Sequence, residues 1–190
     1  MRGWLVLALA SFVSAASHSF ENTAIVRTVD LGGSLVHVTT TYAIRALDNG
    51  AQQYLVTLGE KEAQSTSWFE AKLKGQNEPL AVTTRPLVPH ESAHVFSHDT
   101  AHIDALIPCS GTYSYIVDLP KPLSVNGTVN LVVETVLTHT TYPWPEKASQ
   151  KDEQSLKYEG DLLVLSPYKT VTQRIKVRYV AVGQPVSFIV

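Results

Sequence analysis

Apolar residues recur at every second position along several segments of this chain, and this alternation constrains its fold more than any other feature. Between positions 36 and 46 the pattern runs through Val36, Val38, Thr40, Tyr42, Ile44 and Ala46. Successive side chains of a strand point to opposite faces, so this period predicts a strand with one buried face. The turn sequence Asp-Asn-Gly at 48–50 predicts a hairpin into a second alternating segment at Tyr54, Val56 and Leu58.

Strand patterns continue through most of the remaining chain, and no segment has a convincing amphipathic helix pattern. The further predicted strands are Trp68 to Leu73, Thr112 to Leu119, Asn126 to Leu137, Leu162 to Leu165, and Val171 to Val182. Short alternating strands separated by turn residues are typical of two antiparallel sheets packed face to face. The sequence therefore predicts an all-β fold, an antiparallel β-sandwich, formed as a single domain by residues 17–178.

The first 16 residues have the layout of a cleaved secretory signal peptide. Arg2 supplies a positive charge, an apolar run extends from Trp4 to Val13, and small residues occupy positions 14–16. A membrane anchor is the alternative, but spanning a bilayer takes about 20 apolar residues. No later segment of the sequence reaches that length. The mature chain is therefore predicted to lie in the lumen of the secretory pathway, without a transmembrane span.

Charge and cysteine content exclude two further classes of protein. Lys and Arg total 15 against 17 Asp and Glu, and this net charge of -2 gives no basic excess for binding nucleic acid. Cys109 is the single cysteine, so no disulfide can form within the chain. Ile107 and Pro108 flank it and no cationic residue lies nearby, which predicts a buried, inert thiol. Pairing with another chain is the alternative.

One motif matches a known metal site. The sequence from His90 through Glu91 to His94 fits H-E-x-x-H, in which a helix presents two imidazoles to zinc with the glutamate as general base, and His98 and His102 continue the spacing of four. The flanking residues are poor helix formers, and prolines interrupt the segment at Pro86, Pro89 and Pro108. An exposed loop or edge strand is therefore favoured. A secreted zinc peptidase, or a metal-binding sandwich using His90, His94 and His98, is the alternative.

Other catalytic constellations are absent from the sequence. It contains no G-x-S-x-G elbow, no phosphate-binding glycine loop and no C-x-x-C pair. The carboxylate pairs Asp99 with Asp104 and Glu159 with Asp161 are expected to be solvated turn residues rather than an acid/base pair. No catalytic residue and no cofactor is therefore predicted.

Asn126, Gly127 and Thr128 form an acceptor sequence for an N-linked glycan. The signal peptide would supply the luminal exposure that glycosylation requires. Asn-Gly also favours a tight turn between two strands, and a turn tip is accessible, so both interpretations can hold. Asn126 is therefore a predicted modification site.

Prolines and aromatic residues alternate at Tyr142, Pro143, Trp144 and Pro145. Each proline lacks a backbone donor and holds its predecessor extended, which predicts a stiff turn outside any sheet. The two rings could pack against the sandwich edge or form an exposed aromatic platform for peptide or sugar. These four residues are the predicted interaction loop. After the charged segment 147–153, a strand pair is predicted around 159–161, before a Ser-Pro-Tyr sequence at 166–168.

The order of these motifs resembles the amino-terminal luminal region of the ribophorin I family, subunit 1 of the eukaryotic oligosaccharyltransferase. The matching residues are Val26 to Leu31, Val133 to His139, Tyr142 to Pro145, Tyr158 to Gly160, Ser166 to Tyr168, Thr170, and Arg174 to Val177. The resemblance extends roughly from residue 25 to 177 and is loosest between about 61 and 110, so it assigns the histidine run no role.

The resemblance implies a non-catalytic subunit of a complex in the endoplasmic reticulum. That complex transfers a preassembled oligosaccharide from dolichyl diphosphate to Asn in Asn-x-Ser/Thr sequences of nascent proteins. The implied partners are the other subunits, including the catalytic one, and the nascent polypeptide. Family members are longer, with a second luminal domain and a transmembrane helix, and residues 179–190 do not match their continuation. The chain is therefore expected to be a truncated product. A secreted binding module is the further alternative.

Overall fold

The computed structural model describes residues 19–32, 35–86, 113–147, 149, 151, 155–161 and 163–179. The predicted signal peptide, His90, His94, His98, His102, Cys109 and the tail beyond Tyr179 lie outside these residues. The elements are β1 (Phe20–Asp30), β2 (Val36–Ala46), β3 (Ala51–Leu58), α1 (Glu60–Ser65), β4 (Thr66–Leu73), β5 (Val82–Pro86), β6 (Tyr113–Leu123), β7 (Thr128–Leu137), β8 (Thr141–Trp144), β9 (Ser155–Tyr158) and β10 (Gln173–Arg178). No helix among the described residues is long and apolar enough to cross a membrane.

The strands form three sheets, which confirms the all-β prediction. A five-stranded sheet has the order β10-β1-β2-β7-β4, a three-stranded sheet the order β3-β6-β5, and β8 pairs with β9. The alternation predicted for β2 is confirmed, since its inward-facing residues are all buried: Val36, Val38, Thr40, Tyr42, Ile44 and Ala46.

One hydrophobic core joins the two larger sheets. Ile25, Tyr42 and Leu131 of the five-stranded sheet belong to the same buried cluster as Tyr54 and Val117 of the three-stranded sheet. Burial of these side chains from two facing sheets is the main favourable term in such a fold.

The sandwich is not purely antiparallel, because β10 pairs parallel to β1. The segment before β10 runs alongside the start of β1 in the same direction. The Asn22 N–H donates to the Lys169 carbonyl at 2.8 Å, and the Val171 N–H donates to the Asn22 carbonyl at 2.9 Å. These bonds bring β10 to the free edge of β1 from the same end, so a parallel pairing follows.

The predicted strand from Leu162 to Leu165 is wrong. Residues 163–165 are irregular, and Val164 is buried in the core. The side-chain amide of Gln173 replaces a partner strand for the backbone of Val164. It accepts a hydrogen bond from the Val164 N–H and donates one to the Val164 carbonyl, each at 3.0 Å. Val164 therefore enters the core although its segment joins no sheet, while Leu163 is 41% exposed.

The Ser-Pro-Tyr sequence at 166–168 belongs to the core and not to a surface site. The Asn22 amide nitrogen donates to Ser166 Oγ at 2.9 Å and to Thr170 Oγ1 at 3.1 Å. The side-chain oxygen of Asn22, Oδ1, accepts a hydrogen bond from the Tyr54 hydroxyl at 2.7 Å. Buried polar groups that satisfy one another in this way fix one arrangement of the elements that carry them.

Candidate functional site

A cleft of about 370 Å³ lies between α1, the end of β7, the base of the β8–β9 hairpin and segment 159–161. Its size falls within the range of about 300–1,000 Å³ that is typical of small-molecule sites. Polar and charged side chains make up most of its lining, with Tyr142 and Tyr158 as the aromatic members.

A buried ion pair forms one wall of the cleft. Arg27 of β1 contacts Glu62 of α1 through Nη2 and Oε1, and the two side chains are 5% and 9% exposed. α1 places Glu60 and Glu62 in its first turn, where acidic groups complement the helix dipole. Burial raises the pKa of the Glu62 carboxyl, while the positive charge of Arg27 opposes that rise. The pair depends on both members, because either charge alone would be buried without compensation.

Tyr158 and Gly160 also line the cleft. A Cβ atom on Gly160 would collide with the Tyr158 hydroxyl and ring, so only glycine permits this close approach. Burial raises the pKa of the Tyr158 hydroxyl above its ordinary value of 10.0. The Tyr-Glu-Gly sequence at 158–160 therefore has a structural reason: its glycine leaves space for its tyrosine.

The strand pair predicted around 159–161 is wrong, because β9, which ends at Tyr158, pairs with β8 and residues 163–165 are irregular. The prediction that residues 142–145 lie outside any sheet is also wrong for 142–144, which form β8 with Thr141. A two-stranded sheet has a free edge on each strand, and a proline, which has no backbone donor, is tolerated at such an edge.

The hairpin presents an aromatic face. Tyr142 and Trp144 alternate along β8 on the side shared by Lys157, the cross-strand partner of Tyr142. Their side chains are 49% and 60% exposed, which favours a platform over packing against the sandwich edge. Lys157 Nζ lies 5.5 Å from the centroid of the Trp144 ring and 2.5 Å from Glu159 Oε1. Glu159 and Tyr142 both line the cleft, so the aromatic face and the cleft are continuous.

Asn126 lies in the turn between β6 and β7, away from the cleft lining. Its side chain is exposed, its φ is 63°, and its N–H donates to the Ala46 carbonyl at 2.8 Å. The predicted tight turn is confirmed, and β7 begins at Thr128 rather than at Asn126 because of it. Glycosylation at this position remains a prediction.

The metal-site prediction on His90, His94 and His98 falls outside the described residues. Within the described part of the chain, no group of three or more His, Cys, Asp or Glu side chains could hold a metal ion. His139 lines the cleft, but no second histidine accompanies it there.

Arg27 and Glu62 were not predicted as site residues. In the sequence, Arg27 lies two residues from both Ile25 and Val29, so it falls on the strand face that these apolar residues turn to the interior. This placement is the one feature of the sequence that could have identified Arg27. A charge on the apolar face of a strand requires a buried partner. The sequence does not show which carboxylate supplies it, because α1 has only six residues and no helical period.

Comparison with known proteins identifies the family. The family model described as Ribophorin I matches residues 20–183. The chain belongs to the ribophorin I family. The predicted resemblance is thereby confirmed. Two of its motifs, Tyr-Glu-Gly at 158–160 and Ser-Pro-Tyr at 166–168, are explained by the packing of Gly160 and by the buried network around Asn22.

Two relatives carry similar names. Dolichyl-diphosphooligosaccharide–protein glycosyltransferase subunit 1 of Caenorhabditis elegans is 26% identical over 85% of this chain and 24% of its own length. Subunit 1B of Arabidopsis thaliana is 24% identical over 89% of this chain and 34% of its own length. The chain thus spans about a third or less of these ribophorin I relatives.

Among solved structures, a mutant M1 zinc metallopeptidase from Deinococcus radiodurans overlaps 63% of this chain and 21% of its own chain, with 14% identity and a TM-score of 0.38. A score this low supports no conclusion about fold or zinc chemistry.

Proposed function

We propose that this chain is a luminal, non-catalytic subunit of the oligosaccharyltransferase complex, which attaches oligosaccharides to nascent proteins in the endoplasmic reticulum. The observation that carries the proposal is the ribophorin I match over residues 20–183. Relatives named as subunit 1 of this glycosyltransferase support it. No observation on the described residues favours the zinc-peptidase alternative.

The proposed role is positioning through contact. Catalysis belongs to a different, membrane-spanning subunit, and this chain holds partners near that active site, where proximity and orientation lower the barrier to reaction. The hairpin residues Tyr142, Pro143, Trp144 and Pro145 are the proposed contact surface. Their exposed rings and proline-restricted backbone reduce the conformational entropy lost on binding. The proposed partners are the other subunits, at this hairpin, and the nascent polypeptide, elsewhere on the chain.

Depletion of the encoded protein in its own organism tests this function. Acceptor sites of a secreted reporter protein with several Asn-x-Thr sequences are expected to lose occupancy, visible as faster-migrating bands on a gel. Re-expression of the same reading frame should restore the fully modified band. Full occupancy in cells that lack the protein completely would contradict the proposal.

Asn126 is proposed to carry an N-linked glycan. Thr128→Ala removes the acceptor sequence but leaves Asn126 in its left-handed turn, where asparagine is better tolerated than glutamine. In secreted protein, Thr128→Ala should migrate as the wild type does after enzymatic removal of the glycan. Thr128→Ser, which retains the acceptor sequence, should migrate as the untreated wild type. Identical migration of wild type and Thr128→Ala would show that Asn126 is unmodified.

A further inference from the structure

We infer that the cleft and the aromatic face beside it form a binding site for a neutral oligosaccharide. This inference deepens the proposed function and rests on it for its biological setting. Its physical basis is the charge balance, hydrogen-bonding capacity and aromatic surface of a single continuous region.

Charge balance argues against an ionic ligand. The buried Arg27 is paired with Glu62, and Lys157 is paired with Glu159 at the rim. Lys61 and Asp161, which also line the cleft, are exposed and opposite in sign. A charged ligand would lose its hydration and gain no unpaired buried counter-charge in return. The site therefore favours an uncharged, polar ligand.

Uncharged hydrogen-bonding groups line the same cleft: Gln64, Ser65, Thr140, Tyr142 and Tyr158. Hydroxyl and amide side chains can both donate and accept, as the hydroxyl groups of a sugar do. Thr140 Oγ1 is buried and has no hydrogen-bond partner among the described residues. A buried hydroxyl without a partner is costly, so this residue of the cleft lining would gain from a hydrogen bond to a ligand.

The aromatic face suits the other side of a sugar ring. A pyranose has a face of C–H groups, and these pack on the electron-rich face of an aromatic ring. Tyr142 and Trp144 lie two residues apart on one face of β8, about 7 Å along the strand. That separation allows neighbouring sugar units to contact both rings. Lys157 covers one face of Trp144 through an exposed contact that a ligand can displace at little cost.

An extended peptide fits the β8 edge of the hairpin, the strand that carries the aromatic face, less well. Peptides that add to a sheet edge are held by backbone hydrogen bonds to the edge strand. Pro143 within β8 and Pro145 just after it remove backbone donors from that strand. Recognition by side chains, as a sugar requires, remains available there.

Ligand-observed saturation-transfer NMR tests the inference with the chain that eukaryotic cells secrete when they express the full 190-residue sequence. The chain carries Thr128→Ala, so that no glycan of its own competes. The probe is a neutral high-mannose oligosaccharide. A sulfated disaccharide and an uncharged nonapeptide serve as comparators. Transfer to the oligosaccharide alone is expected, with binding roughly fivefold or more weaker in Tyr142→Ala and Trp144→Ala.

Trp68→Ala is the matched control, because Trp68 is a comparably exposed tryptophan on β4 that does not line the cleft. It should leave binding unchanged. The inference is overturned by absence of transfer at millimolar probe, by equal binding in Trp144→Ala, or by preference for the nonapeptide or sulfated disaccharide. Co-purification with the complex without sugar binding would leave the proposed function intact and reject only this inference.

Discussion

Arg27→Ala is expected to destabilise the chain by about 3–5 kcal/mol, because it leaves the buried Glu62 carboxylate without its cation. Urea unfolding of the purified chain at pH 7 measures this loss. Lys72→Ala is the matched control, since Lys72 also pairs with a carboxylate, that of Glu134, but the two side chains are 27% and 32% exposed. Loss of a partly exposed pair of this kind costs much less than loss of a buried one. Similar losses in the two variants would contradict a buried pair.

The Arg27→Ala variant should also respond differently to pH. Burial already raises the pKa of Glu62 above its ordinary value of 4.5, and removing Arg27 takes away the opposing charge. When the pKa of a carboxyl is higher in the folded than in the unfolded chain, the folded state loses stability as pH rises above the pKa of the unfolded chain. The variant should therefore regain stability, relative to wild type, as pH falls toward 4.5. Lys72→Ala should show no such recovery.

Tyr168→Ala is the second large-effect substitution, with an expected loss of about 3–5 kcal/mol. Tyr168 is fully buried and stacks on Tyr54 with ring centroids 4.8 Å apart. Its hydroxyl oxygen accepts from the Leu55 N–H at 2.9 Å. Removing the ring leaves a cavity between the sheets, and it also leaves a backbone donor without this acceptor.

Tyr168→Phe separates the two contributions. It retains the ring and should cost about 1–3 kcal/mol through loss of the acceptor. Tyr113→Ala, at a tyrosine that is 50% exposed, should change stability by less than about 0.5 kcal/mol. A loss below about 1 kcal/mol in Tyr168→Ala would show that the Ser-Pro-Tyr sequence does not anchor the core.

Local pattern predicted strand faces well where one face is buried. It did not predict pairing: the hairpin predicted at 48–50 is wrong, because β2 belongs to the five-stranded sheet and β3 to the three-stranded sheet. β2 alternates without interruption, so period alone identified the residues that face the core. β8 was missed because Pro143 argues against a central strand, whereas β8 pairs only with β9 and tolerates a proline. The apolar run at 163–165 was predicted to be a strand. The spacing of apolar residues cannot show that the Gln173 side chain would bond to the backbone N–H and carbonyl of Val164.

The candidate site was only half predictable. Tyr142 and Trp144 stand out in the sequence, because prolines bracket exposed aromatic residues. The Arg27–Glu62 wall depends on a contact 35 residues apart in the chain, which no local pattern encodes. The parallel pairing of β10 was equally inaccessible, since it follows from bonds between Asn22 and a segment nearly 150 positions later.

Affinity purification of the tagged chain from mild-detergent extracts of its own cells tests the central claim most directly. The account predicts that the membrane-spanning catalytic subunit of oligosaccharyltransferase is recovered with the chain in near-equal amount. The same chain with Tyr168→Ala should recover less, because its folded domain is depleted. A folded wild-type chain that is recovered from the secretory pathway without any oligosaccharyltransferase subunit would contradict the account.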